Sequence, residues 1–134
     1  MNRIEHICLM AEYNEWMNAK LYEAAKGLPD EELSANRNAF FGSILGTLNH
    51  LIVGDTIWLK RFSTHPANYS ALAAIRSLPV PTSLDQTIFT DIQSLSEHRK
   101  LLDQTIRDWA RSMSLKGPPI SRPVSSVQTK LSRQ

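Results

Sequence analysis

Residues 43–62 limit the possible folds of this chain more than any other segment, because their apolar side chains would lie on two sides of a helix. At 100° per residue most of them form one broad stripe. A second, narrower face carries Gly46, His50, Val53, Gly54 and Ile57. A helix that is apolar on two sides is typical of a central position. We therefore predict a central helix here, with Ser43 as its N-cap.

Two other long segments have helical periodicity. Apolar residues in 4–26 recur mostly at steps of three and four, and Gly27 is placed to end that helix in a left-handed conformation. A third helix is predicted from residue 83 or 84 to 113, with Arg99 interrupting its apolar stripe. Shorter helical turns are expected at 28–33 and within 69–78. Strand signals are absent from the sequence, so the expected fold is all-α, a bundle of helices.

Length and composition are those of one globular domain of 134 residues. No apolar run approaches the ~18 residues that would cross a membrane. The first residues lack the pattern of a secretory signal. Cys8 is the single cysteine, which excludes an internal disulfide and favours a reducing, cytoplasmic setting.

The end of the chain differs from the rest in charge and in composition. Residues 1–113 hold 11 basic and 13 acidic side chains, whereas 114–134 hold four basic side chains and no acidic one. The second stretch is rich in Pro and Ser and has few apolar residues. We expect a helical domain over 1–113 and a poorly ordered basic tail over 114–134. Neither part has the features of a nucleic-acid-binding or membrane-binding protein.

His50 is the main candidate metal ligand, because it lies in an apolar helix between two glycines. A divalent transition metal usually takes three or four protein ligands. The other histidines are His6, His65 and His98, and no two of the four are spaced i, i+4. From the residues alone, however, a packed or hydrogen-bonded core histidine is the favoured interpretation, and a metal ligand is the alternative. Glycines four residues before and after His50 indicate either close helix packing or room for a ligand.

Asp55 lies in the middle of the apolar stripe of the second helix. An unpaired buried carboxylate is costly, so a hydrogen bond to a neighbouring helix is predicted. Asn14 and Asn18, four residues apart on the first helix, could be its partners or could face solvent. No Ser-His-Asp arrangement and no Gly-rich phosphate loop is evident, so no catalytic residue is assigned.

Four segments together resemble the DinB/YfiT-like family. They are YNEWMNAKLY at 13–22, LPDEEL at 28–33, LNHLIVGDTIWL at 48–59 and EHRKLLD at 97–103. The resemblance implies an up-down-down-up four-helix bundle, often a homodimer, that binds a divalent metal such as zinc or nickel. One metal ligand is a histidine of the second helix, which corresponds to His50. The other two form a His-x-x-x-His pair on the last helix. Some relatives are metal-dependent transferases acting with low-molecular-weight thiols.

The chain departs from that pattern after Met113, where no histidine occurs. The resemblance therefore implies a bundle with three long helices evident and the fourth missing or replaced, and we hypothesise a frameshift or truncation. With His50 as the one remaining ligand, we expect weak metal binding or none, and little or no catalysis. The alternative function is a non-catalytic helical module whose apolar groove is covered by dimerisation.

Overall fold

The computed structural model describes residues 2–116, and the side chains of residues 2–113. The described fold is all-α, as predicted. It consists of α1 (Arg3–Lys26), α2 (Asp30–Ser34), α3 (Ile44–Ser63), a single 3-10 turn (Ser70–Leu72), α4 (Ala73–Arg76) and α5 (Ile92–Lys116). The expected absence or replacement of the fourth long helix, and nearly all of the predicted tail, concern residues 117–134, which lie outside the described residues.

Helix α1 begins with a reciprocal cap. The Asn2 side chain accepts a hydrogen bond from the Glu5 amide at 2.8 Å, and the Glu5 carboxylate accepts one from the Asn2 amide at 3.2 Å. The predicted left-handed end at Gly27 is wrong, since this residue has φ −77°. Gly27 and Leu28 instead donate to the carbonyls of Ala24 and Ala25 in a right-handed turn, so these carbonyls are satisfied without a left-handed residue.

Helix α3 has the N-cap and the core-facing apolar side that its sequence predicts, but not the central position, because α5 is the helix packed against both other long helices. Ser43 is its N-cap, with the hydroxyl accepting from the Gly46 amide at 2.9 Å. One side of α3 buries Leu48, Ile52 and Leu59 in the core. The second side is covered in part by the connection from α3 to α5, which also buries Tyr69, Leu72 and Ile75. The sequence thus predicted the extent of α3 and its core-facing side correctly.

Helix α5 begins at Ile92, so the predicted start at residue 83 or 84 is wrong. Two side chains hold the preceding segment out of a helix. The Asn49 carboxamide, 2% exposed, accepts from the amides of Ile88 and Phe89 and donates to the Phe89 carbonyl. The Asp91 carboxylate accepts from the Ser94 amide at 2.8 Å, as an N-cap does. Tertiary hydrogen bonds therefore override the helical periodicity of 84–91.

The three long helices share one core, with α5 packed against both α1 and α3. Buried apolar residues from α5 include Leu95, Leu102 and Met113. The 3-10 turn and α4 close the core beside α3 and α5. In the described part of the chain, no helix combines the length and the hydrophobicity that crossing a bilayer requires.

Candidate functional site

The His50 ring is held in a fixed orientation on the surface of α3. Its Nδ1 lies 2.9 Å from the Leu84 carbonyl oxygen, which can only accept, so Nδ1 carries the proton and donates. The ring also stacks on Phe41, with 3.7 Å between centroids and 16° between planes. Nε2 of this tautomer keeps its lone pair. A histidine that donates Nδ1–H to a carbonyl has the orientation of many metal-binding histidines.

The two glycines beside His50 have different roles. A Cβ atom added to Gly46 would collide with the Phe41 carbonyl oxygen, so this glycine permits a close backbone approach next to the His50–Phe41 stack. A Cβ atom added to Gly54 would meet no atom within 4 Å. Close packing therefore explains Gly46, whereas the structure shows no steric need for Gly54.

The described residues do not complete a metal site around His50. Within 2–113, no group of three His, Cys, Asp or Glu side chains is arranged so that it could hold a metal ion. His6 is exposed, and His98 packs against Phe89 instead. The Nδ1 ring atom of His65 accepts a hydrogen bond from the Ala67 amide. Residues 114–134 contain no His, Cys, Asp or Glu, so a metal at His50 would need ligands from water or from another subunit.

Polar side chains from three helices converge instead on Arg99, which is 4% exposed. Its Nε donates to Oδ1 of Asp103 at 2.9 Å, and its Nη2 lies 2.8 Å from the same oxygen. Nη2 also donates to Oδ2 of Asp55 on α3 at 2.5 Å. Asp55 thus makes the predicted hydrogen bond to a neighbouring helix, but its side chain is 40% exposed, so the predicted burial of this carboxylate is wrong. Arg99 holds α3 to α5 through this contact.

The two asparagines of α1 complete this network, which we call the Arg99 cluster (Asn14, Asn18, Asp55, Arg99, Asp103). Asn14 donates to Asp103 at 3.2 Å, and Asn18 donates to both Asp103 oxygens at 3.0 and 3.2 Å. The asparagines therefore partner Asp103, which is 2% exposed, and not Asp55 as considered from the sequence. A buried carboxylate with this many donors has its lone pairs satisfied.

Charge in the cluster is governed by burial and by the pairing of opposite charges. Burial raises the pKa of Asp103 above its usual value, although Arg99 and Asn18 counteract part of this effect. Burial opposes the charge of Arg99, but Asp55 and Asp103 together outweigh it, and the pKa of Arg99 is raised. Arg99 therefore stays protonated. With both carboxylates ionised the triad carries a net charge of −1.

A groove runs between α1 and α5 beside the Arg99 cluster. We call it the α1–α5 groove; its volume is about 600 Å³, and Tyr22, Ser96, Arg99 and Asp103 line its inner part. Burial raises the pKa of Tyr22 to about 12, with Arg99 lowering it and Asp103 raising it further. Sequence inspection found Asp55 and both asparagines, but it missed the role of Arg99. The only indication of Arg99 in the sequence was its charge, which interrupts the apolar stripe of α5.

Fold and side-chain arrangement together define a helical-bundle protein with a polar cluster inside it. Residues 1–133 match the sequence profile of the DinB family, and the chain belongs to that family. The match extends past residue 113, where the likeness found by inspection stopped. Neither a curated protein nor a solved structure matches the chain.

Proposed function

We propose that this DinB-family protein works as a homodimeric helical module, and that α1 and α3 supply its interface. The supporting observation is a set of exposed apolar side chains, which we call the α1–α3 face: Met10, Tyr13, Met17, Leu51 and Trp58. Trp58 is 56% exposed and Tyr13 is 54% exposed. Large apolar side chains grouped on one surface favour association with another surface.

The members of the α1–α3 face lie on one side of the molecule. Met10 and Asp55 line the same cleft of about 280 Å³ above α5. Tyr13 and Met17 follow Met10 at helical steps of three and seven, and Leu51 and Trp58 flank Asp55 at steps of four and three. No other helix of the described residues covers these side chains. In a two-fold symmetric dimer, the second copy would present the same α1–α3 face to the first copy.

Size-exclusion chromatography with light scattering tests the homodimer. The full chain, 15.2 kDa, is expected to elute at twice that mass. The double variant Met17→Glu, Trp58→Glu is expected to elute as a monomer with an unchanged helical circular-dichroism spectrum. Phe40→Ser is the matched control, because Phe40 is 94% exposed but lies outside the α1–α3 face. A monomeric wild type, or a dimer that survives the double substitution, contradicts the proposal.

A second candidate function is binding of a divalent metal at His50. The observation that favours it is the Nδ1–H to Leu84 hydrogen bond, which leaves Nε2 as the ligand atom. The remaining protein ligands would come from the partner subunit, because residues 114–134 contain no His, Cys, Asp or Glu. A bound zinc or nickel ion with an open position lowers the pKa of a coordinated thiol or water, so a low-molecular-weight thiol is the proposed co-substrate.

Isothermal titration of the chelator-treated full chain with zinc and with nickel tests this second function. Submicromolar binding that His50→Ala abolishes supports a metal site. His6→Ala is the control, because His6 is exposed on α1. Absence of binding, or binding that His50→Ala does not change, contradicts it.

A further inference from the structure

The α1–α5 groove lies apart from both sites proposed above. Its volume of about 600 Å³ is within the range of pockets that bind small molecules, roughly 300–1,000 Å³. The inner part is formed by polar residues of the Arg99 cluster together with Tyr22 and Ser96, and Trp16 and Ala19 form part of one wall. A largely apolar groove with a few converging polar groups is the usual form of a small-molecule site.

Two buried residues at this groove, Tyr22 and Ser96, carry hydroxyl groups with unused hydrogen-bonding capacity. Tyr22 is 4% exposed and Ser96 is 3% exposed, and both line the groove. Neither hydroxyl makes a hydrogen bond to any residue within 2–113, and neither is among the fully enclosed polar atoms without a partner, so both oxygens remain accessible from the groove. Nη1 of Arg99 likewise makes no hydrogen bond among the described residues, although Nε and Nη2 are paired. Three donor groups without a partner among the described residues therefore belong to side chains that line one groove.

The donors favour an oxygen acceptor. Because the pKa of Tyr22 is raised to about 12, its hydroxyl keeps its proton at neutral pH and can donate. Ser96 can also donate, and a guanidinium group can only donate. A carbonyl or ether oxygen would satisfy these groups together. A ligand amine or ammonium would leave Arg99 Nη1 without an acceptor.

The charges around the groove favour a ligand without net charge. Three acidic side chains (Glu15, Glu23, Asp103) and three basic ones (Lys26, Arg99, Lys100) line it. Arg99 is already neutralised by Asp103 and by Asp55 behind it. An anionic ligand at the bottom of the groove would therefore lie near the carboxylates of Asp103 and Asp55 and would find no unpaired positive charge there. Such a ligand would lose its hydration without gaining a partner of opposite charge, which is costly.

The wall of the groove supplies a flat apolar surface. Trp16 is 55% exposed. The Lys20 ammonium group lies 5.4 Å from the centroid of the Trp16 ring, but Lys20 does not line the groove. Ala19 adds little bulk beside it, so a planar ring can approach the indole. We propose that the α1–α5 groove binds a neutral small molecule with a planar apolar body and a carbonyl-type oxygen, which accepts hydrogen bonds from Tyr22, Ser96 and Arg99.

Three ring compounds that differ in charge test the proposal. The ¹⁵N-labelled full chain is titrated with acetophenone, benzoate and benzylamine, and backbone amides and indole N–H groups are followed by NMR. Acetophenone is expected to shift the Trp16 indole and the Ser96 amide saturably. The two ions are expected to bind at least about tenfold more weakly, a difference of roughly 1.4 kcal/mol. Equal or tighter binding of either ion, or no saturable shift with acetophenone, overturns the proposal.

Variants locate the binding site. Ala19→Trp fills the groove and is expected to abolish the acetophenone shifts. Ala24→Trp is the matched control, since Ala24 is also exposed on α1 but does not line the groove. Tyr22→Phe removes one donor and is expected to weaken binding about fivefold, the value of one ordinary hydrogen bond. Amide spectra confirm that each variant is folded. Unchanged affinity in Ala19→Trp, or in a folded Tyr22→Phe, overturns the assignment.

Discussion

His50 and Arg99 differ in how many of the long helices hold their side chains in place. His50 is fixed by the Leu84 backbone carbonyl and by the ring of Phe41, which both belong to connecting segments and not to another long helix. Arg99 is fixed by carboxylates of α3 and α5, and Asp103 in turn accepts from two asparagines of α1. The Arg99 cluster therefore joins all three long helices, whereas His50 can change with little effect on the core.

The largest expected effect comes from Arg99→Met. It removes the positive charge but leaves Asp103 buried, so the free energy of unfolding should fall by about 3–5 kcal/mol. Urea unfolding followed by circular dichroism measures this change. His50→Gln should lower stability by about 1 kcal/mol or less in the same experiment.

The control for Arg99→Met is Lys100→Met, which alters an exposed neighbour on α5. It should change stability by no more than about 0.5 kcal/mol. If Arg99→Met proved no more destabilising than His50→Gln, the contrast between the two regions would be lost.

In the region around His50, the free energy of unfolding is expected to depend more on Asn49 than on the histidine. Asn49→Ala removes hydrogen bonds to Ile88, Phe89 and Leu45 and leaves the half-buried backbone groups of Ile88 and Phe89 unpaired. The cost should be about 2–3 kcal/mol in urea unfolding. Thr47→Ala, an exposed change two residues away, should cost less than about 1 kcal/mol. A similar cost for both variants would show that Asn49 does not hold the connection before α5.

The two glycines flanking His50 should respond differently to alanine. Gly46→Ala places a methyl group against the Phe41 carbonyl and should destabilise the protein by about 1–3 kcal/mol. Gly54→Ala meets open space and should stabilise it by up to about 1 kcal/mol through helix propensity. Thermal unfolding of the pair measures the difference. Equal melting temperatures would contradict the proposed close approach at Gly46.

On the Arg99 side, the smallest expected effect is a pH dependence that arises from Tyr22. An unfolded tyrosine loses its proton near pH 10, whereas burial raises the pKa of Tyr22 to about 12 in the folded protein. Its contribution to stability is complete below pH 10 and is lost as pH rises through about 12. Between pH 9 and pH 11, the wild type should therefore lose about 1 kcal/mol more stability than Tyr22→Phe. Parallel pH profiles for the two proteins would contradict the raised pKa.

Much of the fold follows from the sequence because α1 and α3 have clear periodicity and end signals. Ser43 marks the start of α3, and the long apolar stripes predict burial. The start of α5 could not be found this way, because the hydrogen bonds from Asn49 to Ile88 and Phe89 connect residues about 40 positions apart. Gly27 was misleading because glycine permits a left-handed conformation without requiring one.

The candidate sites were less accessible to sequence analysis. His50 was predicted to be a metal ligand because few other residue types bind transition metals. The family resemblance implied the same role. The Arg99 cluster depends on three helix faces meeting, which no single segment reveals. Asp55 gave a correct signal as a carboxylate on an apolar stripe. Its partner could be identified only once α3 and α5 were placed side by side.

The central claim is that Arg99 joins α5 to α3 through Asp55. A double-mutant cycle with Arg99→Met, Asp55→Ala and the combined variant tests it most directly, with free energies of unfolding measured in urea. A coupling energy of about 1–3 kcal/mol is expected for a charge pair in direct contact whose arginine is buried and whose carboxylate is 40% exposed. Strict additivity, with the double variant equal to the sum of the single changes, would contradict the claim.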